Sequence, residues 1–413
     1  MATGIIAEYN PFHNGHKYML EEIRSQFPKE PIIICMSGSI TQRGEIAMLD
    51  KWTRAMLAVL AGANLVFELP TAFACRSAQA FGEGSVRLLS ATGIVDTLAF
   101  GTEYPDLTQL TKAAAFVPDE YPDELQALLK QGLSYGSAVT KLMSKKLSLS
   151  EGMLREPNTI LALEYLRCIK KLSDNSPALT PLPIRRTGAS HGDTIPNGSF
   201  ASGTALRQMA VSIKDSDTLH KAIAPLVPPA VCDAIIQCQS YPDKAKLYQL
   251  IQYRLLTASP NELREICGMG EGIEQAMLQA AGCADYEEFV STLSSRRYPA
   301  TRIQRLLIHL LLAMYRDMVN AMDAAGPLYG RVLAMDNAGR HLLKQIKNRG
   351  SLPLLNKVAG LLNHRDLLHP EALSLTQRML YMDIAATNLR SLSLSQTSSF
   401  YEDYLHSPCY IDK

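Results

Sequence analysis

The chain opens with a short apolar segment, a proline, and two histidines on either side of a glycine. Residues 4–7 (GIIA) predict the first strand of a buried sheet, because an unbroken apolar run is typical of a strand covered on both faces. Pro11 ends this strand, since proline has no N–H for the ladder and restricts the residue before it. Residues 17–25 then predict an amphipathic helix. A strand that passes directly into a helix indicates an α/β fold.

The loop between this strand and helix carries the sequence His13-Asn14-Gly15-His16. Two histidines three residues apart face the same way once a helical turn begins. Gly15 has no side chain, so a ligand can lie against the backbone, and the amides of a helix start attract phosphate. The pattern suits a nucleotide triphosphate. A metal site or two ordinary surface histidines would give the same pattern, so the loop alone leaves these readings open.

Further strands and helices alternate along the first 215 residues. Apolar runs predict strands at residues 31–36, 64–69, 95–100 and 182–186. Periodic patterns predict helices at residues 51–61 (capped by Asp50), 77–91, 122–131 and 158–172, and one that opens within residues 199–207. This alternation predicts a doubly wound parallel sheet, in which ligands bind beyond the carboxyl ends of the strands. His13, Ser37, Pro70 and Gly101 follow such ends.

Strand patterns nearly vanish after Asp215, and apolar residues recur at helical spacing to the end of the chain. We therefore expect an α/β domain at residues 1–215 and a mostly α-helical C-terminal domain at residues 216–413. The net charge of +1 excludes a simple polycation. The eight cysteines form no CxxC pair, so their spacing predicts neither a metal site nor a disulfide framework. The apolar run at residues 306–314 contains His309 and is too short to span a bilayer. With no signal peptide before Gly4, we expect a cytoplasmic protein without a membrane partner.

The motif HxGH after a first strand resembles the signature of the HIGH-type nucleotidyltransferase superfamily. The longer string EYNPFHNGH (residues 8–16) is similar to the bacterial tRNA(Met) cytidine acetate ligases, and the likeness extends to about residue 387. Those enzymes use acetate and ATP to form N4-acetylcytidine at the wobble position of elongator tRNA(Met) through an acetyl-adenylate. The resemblance implies the same reaction, with ATP accompanied by Mg²⁺ that its phosphates hold and with no metal ligands from the protein.

Two other motifs suit the binding of an anion. Ser202 and Thr204 lie at a predicted helix start, and Arg207 follows one turn later. These three side chains could bind phosphate oxygens, but an ordinary helix cap followed by a solvated arginine would give the same pattern. The segment MSGSITQRGE (residues 36–45) indicates a loop over a small anion or a plain turn. The resemblance implies catalytic roles for His13, His16, Ser37, Arg43 and Arg207. It implies ATP contacts for Ile6, Ala7, Glu8, Tyr9, Asn10, Pro11, Phe12, His13, Asn14, Gly15, His16, Lys17, Tyr18, Met19, Gly101, Asn158, Arg186, Ser202 and Thr204. No role carries over to His191.

A basic segment lies in the second half. Residues 296–349 hold 10 Lys and Arg against 3 Asp and Glu, a net charge of +7, whereas the rest of the chain sums to −6. Such segregation favours binding to phosphates, and Tyr298 is suited to stack on an unpaired base, although a solvated helix face is the alternative. The ligase family has a similar stretch. The resemblance implies RNA contacts for Arg296, Arg297, Arg302 and Arg305.

Three other functions remain open at this point. The HxGH motif also fits an adenylyl- or cytidylyltransferase that acts on a small phosphorylated metabolite. In a nucleic-acid-binding module with a structural nucleotide site, the basic segment would bind nucleic acid and the nucleotide would not react. An assembly factor would use the helical half to dock another protein. Release of pyrophosphate that depends on acetate separates the ligase from all three.

Overall fold

The computed structural model describes residues 1–173, 179–186 and 198–412. Within them the strands form one sheet with the order β5-β4-β1-β2-β3-β6-β7, and β8 also pairs with β6. The strands are β1 (Ala2–Ala7), β2 (Ile32–Ser37), β3 (Leu65–Leu69), β4 (Val95–Thr102), β5 (Thr180–Arg185), β6 (Gly330–Asp336), β7 (Leu354–Leu355) and β8 (Cys409–Ile411). Strands β1 to β5 are mutually parallel, so the predicted doubly wound sheet is confirmed.

Helices cover both faces of this sheet and make up most of the second half. In the first half they are α1 (Asn14–Gln26), α2 (Lys51–Leu60), α3 (Thr71–Ala74), α4 (Ala78–Ala91), α5 (Leu107–Ala114), α6 (Pro122–Lys130), α7 (Tyr135–Leu147), α8 (Glu151–Arg155), α9 (Pro157–Leu172) and α10 (Gly203–Ser212). In the second half they are α11 (Ser216–Ile223), α12 (Pro229–Gln237), α13 (Lys244–Thr257), α14 (Pro260–Glu265), α15 (Ile273–Ala280), α16 (Tyr286–Leu293), α17 (Ala300–Leu311), α18 (Arg316–Ala325), α19 (Asn337–Arg349), α20 (Leu375–Leu392) and α21 (Glu402–Leu405). None of the described helices is long and apolar enough to cross a membrane.

The predicted helix starts follow from side chains that cap them. Asp50 accepts a hydrogen bond from the backbone N–H of Thr53 at 2.8 Å, and Ser77 and Ser202 cap α4 and α10 in the same way. Each cap satisfies an amide that has no partner inside the helix. The first helix begins at Asn14, three residues earlier than predicted, because the side chain of His13 serves as its cap.

The second half contributes three strands that the sequence analysis missed. Strand β6 pairs antiparallel with β3, and β7 and β8 pair parallel with β6. Their patterns were hard to read because β6 leads directly into α19 and the other two are only two and three residues long. The mostly helical second half is confirmed, yet its strands extend the sheet of the first half. The division at residue 215 stays a prediction.

A buried charged cluster also joins the two halves. The ammonium of Lys51 on α2 donates to Glu68 on β3 at 2.8 Å and to Asp403 on α21 at 2.6 Å. Arg331 on β6 pairs with both carboxylates, and all four side chains are almost fully buried. Removing one member would leave its partners as uncompensated buried charges. The folded state therefore requires the C-terminal segment that carries Asp403 to pack against the sheet.

Candidate active site

A cavity of about 420 Å³ lies at the carboxyl ends of β1 and β4. Parallel α/β sheets bind ligands at this edge, because the connecting loops gather there. Fifteen of the residues predicted to be catalytic or to contact ATP line it. They are Ile6, Ala7, Glu8, Tyr9, Asn10, Pro11, His13, His16, Met19, Arg43, Gly101, Asn158, Arg186, Thr204 and Arg207.

His13 and His16 lie against each other at the start of α1, with ring centroids 3.7 Å apart. Nδ1 of His13 accepts from the N–H of Gly15 at 3.1 Å, and Nδ1 of His16 accepts from the N–H of His13 at 3.2 Å. Because both Nδ1 atoms are acceptors, each neutral ring carries its hydrogen on Nε2. The pair therefore presents Nε2 donors at the wall of the cavity, which suits an oxyanion such as phosphate.

Arg207 is held at the cavity by three contacts. Its guanidinium donates to the backbone oxygen of Asn10 at 2.7 Å and to the carboxylate of Glu45 at 2.7 Å, and lies 3.4 Å from the hydroxyl of Thr204. The first turn of α10 approaches the Asn10 loop closely, since an added Cβ at Gly203 would stand 2.8 Å from the oxygen of Asn10. Glycine at this position is what lets Arg207 and Thr204 reach the cavity together.

The loop after β2 forms another wall. Glu8 at the end of β1 accepts a hydrogen bond from the backbone N–H of Gln42 at 2.5 Å. Burial raises the pKa of the Glu8 carboxyl above its usual range, while this hydrogen bond acts in the opposite direction. Gln42 donates to the backbone oxygen of Arg76 at 2.7 Å. The loop is thus tied to β1 and to the segment before α4, and it carries Arg43 to the cavity.

A third wall lies beyond β4. Glu103 accepts a hydrogen bond from the amide of Asn158 at 2.6 Å, and its carboxylate lies 3.8 Å from Nε of Arg186. Burial lowers the pKa of the Arg186 guanidinium and the charge of Glu103 counteracts this shift. Gly101 allows the approach, because an added Cβ would meet the Arg186 side chain at 3.2 Å. This polar set suits the ribose and base of a nucleotide.

Several predicted contacts lie off the cavity. Phe12 and Ser37 are fully buried, and Asn14 donates to the backbone oxygens of Ser199 and Pro225. Lys17 pairs with Glu21 at the surface. Gly15 and Tyr18 line a small adjoining cleft instead, and Ser202 acts as the cap of α10. The predicted roles of Phe12, Ser37, Asn14 and Lys17 stay predictions. His191 lies outside the described residues.

Arg54 organises the site, although sequence reasoning missed it. This fully buried side chain donates to the backbone oxygens of Glu8 at 2.6 Å and of Ser37 at 3.1 Å, and also to that of Gly38. It thereby holds the ends of β1 and β2 together. Burial lowers its pKa to about 10. An arginine inside an amphipathic helix looks like a surface residue, so only its burial reveals the role.

The residues of the basic segment lie in different environments. Arg296 and Arg297 are exposed, and Arg297 pairs with Glu271 at 2.8 Å. Tyr298 is buried, its hydroxyl bonds to Gly270 and Glu271, and the Arg302 guanidinium lies 4.1 Å from its ring centre, so the predicted stacking of Tyr298 on a base is wrong. Arg305 and Thr301 line the cavity, which the sequence did not indicate. Arg331 belongs to the buried charged cluster. The exposed basic surface is therefore smaller than the segment's charge implies.

Comparisons with known proteins place this site in context. The family model described as HIGH Nucleotidyl Transferase matches residues 1–403. Proteins named tRNA(Met) cytidine acetate ligase are similar over nearly the whole chain. That of Syntrophomonas wolfei is 36% identical over 398 residues, which are 94% of each chain, and that of Clostridium perfringens is 33% identical over 420 residues, which are 98% of each.

Solved structures agree with these sequence matches. The apo structure of Thermotoga maritima TmcAL superposes with a TM-score of 0.87 at 27% identity and covers 100% of both chains. A second structure of that protein, bound with alpha-thio ATP, gives a TM-score of 0.86 at 26% identity and the same coverage.

Proposed function

The chain belongs to the HIGH nucleotidyl transferase family and, within it, to the tRNA(Met) cytidine acetate ligases, and we propose that it joins acetate to tRNA at the expense of ATP. In the proposed reaction, acetate and ATP give acetyl-adenylate and pyrophosphate. The acetyl group then passes to N4 of the wobble cytidine of elongator tRNA(Met), and AMP leaves. The reaction would take place in the cytoplasm, where ATP and tRNA are both present.

The arrangement of His13 and His16 is the observation that best supports this proposal. Acetate is ionised at neutral pH, so its attack on the α-phosphorus needs no general base. The step needs in-line positioning and donors to the phosphate oxygens as charge develops. Both Nδ1 atoms accept backbone N–H groups, so both rings carry their hydrogens on Nε2 for this purpose.

Other residues at the cavity complete the proposed ATP site. Thr204 and Arg207 would hold the departing pyrophosphate, since a guanidinium forms strong hydrogen bonds to phosphate oxygens. Gly101, Asn158 and Arg186 would hold the nucleoside on the β4 side. ATP would enter as its Mg²⁺ complex, with the ion held by phosphate and water oxygens. The described residues contain no group of three or more His, Cys, Asp or Glu that could hold a metal ion.

The second step would be an attack of the cytidine N4 amine on the acetyl carbonyl. A carbon–nitrogen bond forms, the bond to the AMP oxygen breaks, and the amine loses a proton. The anticodon loop offers unpaired bases that a protein can splay into a pocket. Arg296 and Arg297, exposed near the start of α17, would contact its phosphates.

Mass spectrometry tests the proposal directly. The protein is incubated with tRNA(Met), ATP and carbon-13-labelled acetate, and nucleosides are then analysed. We expect labelled N4-acetylcytidine at the wobble position only when ATP and acetate are both present. Formation of N4-acetylcytidine without acetate, or a rate of ATP turnover that acetate does not change, would contradict the assignment as a ligase. Such a result would favour transfer of the nucleotidyl group to another acceptor.

A further inference from the structure

Helix α17 of the second half brings an arginine into the cavity. Thr301 and Arg305 are four residues apart on α17, and both line the cavity. The loop after β2 packs directly on this helix at Gly44, whose φ is +79°, and an added Cβ there would stand 2.7 Å from the backbone nitrogen of Arg305. This close approach sets Arg43 on the loop next to Arg305 on the helix.

These two guanidiniums form no hydrogen bond or ion pair with any side chain or backbone group of residues 1–173, 179–186 and 198–412. The nearby carboxylates have other partners, since Glu45 pairs with Arg207 and Glu8 accepts from Gln42. Burial and the positive charges of Arg302 and Arg43 lower the pKa of Arg305. Arg43 lies within electrostatic range of the Glu8 carboxylate, whose pKa its charge lowers, but no carboxylate of the described residues pairs directly with either arginine. Two half-buried cations of this kind are stabilised by an external anion.

ATP and acetate are the two anions that the proposed first step brings together. The histidines of α1 and the Thr204–Arg207 pair of α10 account for the phosphates. The cavity that Arg43 and Arg305 line also contains apolar side chains, among them Phe81 and Leu161. A carboxylate joined to a methyl group matches a lining that offers both guanidiniums and apolar side chains, whereas a phosphate has no apolar part.

We propose that Arg43 and Arg305 form the acetate site, with their guanidiniums on the carboxylate and with Phe81 and Leu161 against the methyl group. This inference rests on the proposed function. Bound there, one carboxylate oxygen bonds to the α-phosphorus of ATP as the bond from that phosphorus to the bridging oxygen breaks, and pyrophosphate leaves. No proton moves. The second half of the chain then takes part in the first chemical step as well as in RNA binding.

Pyrophosphate release in the absence of tRNA tests the site. For Arg305→Gln we expect the KM for acetate to rise about 10- to 100-fold, because a buried charged contact is lost, while the KM for ATP stays within about twofold. Arg305→Lys should restore part of the affinity, since the charge returns without the planar fork. If Arg305→Gln on the helix is unstable, Arg43→Gln on the loop provides the same test and should raise the KM for acetate in the same way. Arg340→Gln on the exposed face of α19 is the matched control and should leave both constants unchanged.

The outcomes separate the competing assignments. A raised KM for ATP with an unchanged KM for acetate would mean that Arg305 holds ATP phosphates, and it would overturn the proposal. Unchanged KM values for both, with a raised KM for tRNA, would assign the arginine to an RNA phosphate and overturn it equally. A wild-type protein that releases no pyrophosphate with acetate would instead contradict the proposed function, and the acetate site with it.

Discussion

The guanidinium of Arg207 lies 2.7 Å from the carboxylate of Glu45, and this ion pair joins segments that are 162 residues apart in the chain. Arg207 also donates to the backbone oxygen of Asn10. One side chain thus connects the loop after β1, the loop after β2 and the first turn of α10. The first leads into the histidines of α1 and the last carries Thr204 and Arg207, the proposed phosphate ligands, while the loop after β2 carries Arg43 of the proposed acetate site. The ion pair therefore sets the relative positions of the proposed ATP and acetate ligands.

Replacing Glu45 should weaken ATP use without unfolding the protein. In Glu45→Ala the Arg207 side chain loses an anchor and must be ordered by ATP itself. Ordering a long side chain costs about 0.5–1.5 kcal/mol, which corresponds to about a 2- to 10-fold lower kcat/KM for ATP. Initial rates of pyrophosphate release at varied ATP measure this. Glu45→Gln keeps an acceptor and should lose less; equal rates in all three proteins would show that Arg207 needs no anchor.

Substitution can separate the roles of the two ring nitrogens of His16. His16→Asn keeps an acceptor for the N–H of His13 but has no donor at the Nε2 position. We expect acetyl-adenylate formation to fall about 100- to 1000-fold, with a melting temperature close to that of the wild type. His16→Gln, which reaches the Nε2 position, should retain more activity. If His16→Asn were folded and fully active, the assignment of His16 to the phosphate would be wrong.

Gly203→Ala should disturb the phosphate side of the cavity. The added Cβ would stand 2.8 Å from the oxygen of Asn10 and 3.2 Å from Nη1 of Arg207, so α10 must shift outward. We expect about a tenfold rise in the KM for ATP, as for other losses of roughly 1.4 kcal/mol. Gly136→Ala is the control, since an added Cβ there meets nothing within 4 Å. The idea fails if the two variants bind ATP alike.

Reversing Arg296 and Arg297 to Glu should separate RNA binding from adenylation. Both side chains are exposed, so the free energy of unfolding should change little. We expect weaker tRNA binding, a salt dependence that flattens by about one unit of slope per lost phosphate contact, and unchanged pyrophosphate release without tRNA. The control reverses Arg340 and Lys344 on α19. Normal tRNA acetylation by the folded Arg296/Arg297 variant would place the RNA site elsewhere.

Asp383 should make stability depend on pH. Burial and the charge of Glu68 raise its pKa from 3.8 to about 7, against the opposing effects of Lys51, Thr71 and Tyr329. Between these pH values the unfolded chain loses the proton while the folded protein keeps it, so the free energy of unfolding falls as pH rises from about 4 to about 7. Asp383→Asn removes this contribution. Melting temperatures from pH 5 to 8 should decline less in the variant, and parallel curves would contradict the assignment.

Much of the α/β framework was predictable because local patterns and long-range packing agree there. Strands β1 to β5 are short apolar runs bounded by turn residues, and the caps of α2, α4 and α10 are Asp and Ser, the residues that usually cap helices. The start of α1 was misplaced because histidine is an unusual cap. Strand β6 was missed because it pairs with β3, which lies far earlier in the chain, and β7 and β8 were missed because they are only two and three residues long.

The sequence by itself determined the class of fold and predicted where the nucleotide binds, since HxGH follows the first strand and the Ser202 to Arg207 motif opens a helix. Only the tertiary structure decided which of the basic residues line the cavity. Arg54, Arg305 and Arg331 all read as surface cations along the chain, yet one braces two strand ends, one lines the cavity and one is buried in ion pairs. The reason is physical: an arginine's role depends on the burial and partners of its guanidinium, and elements distant in sequence supply both.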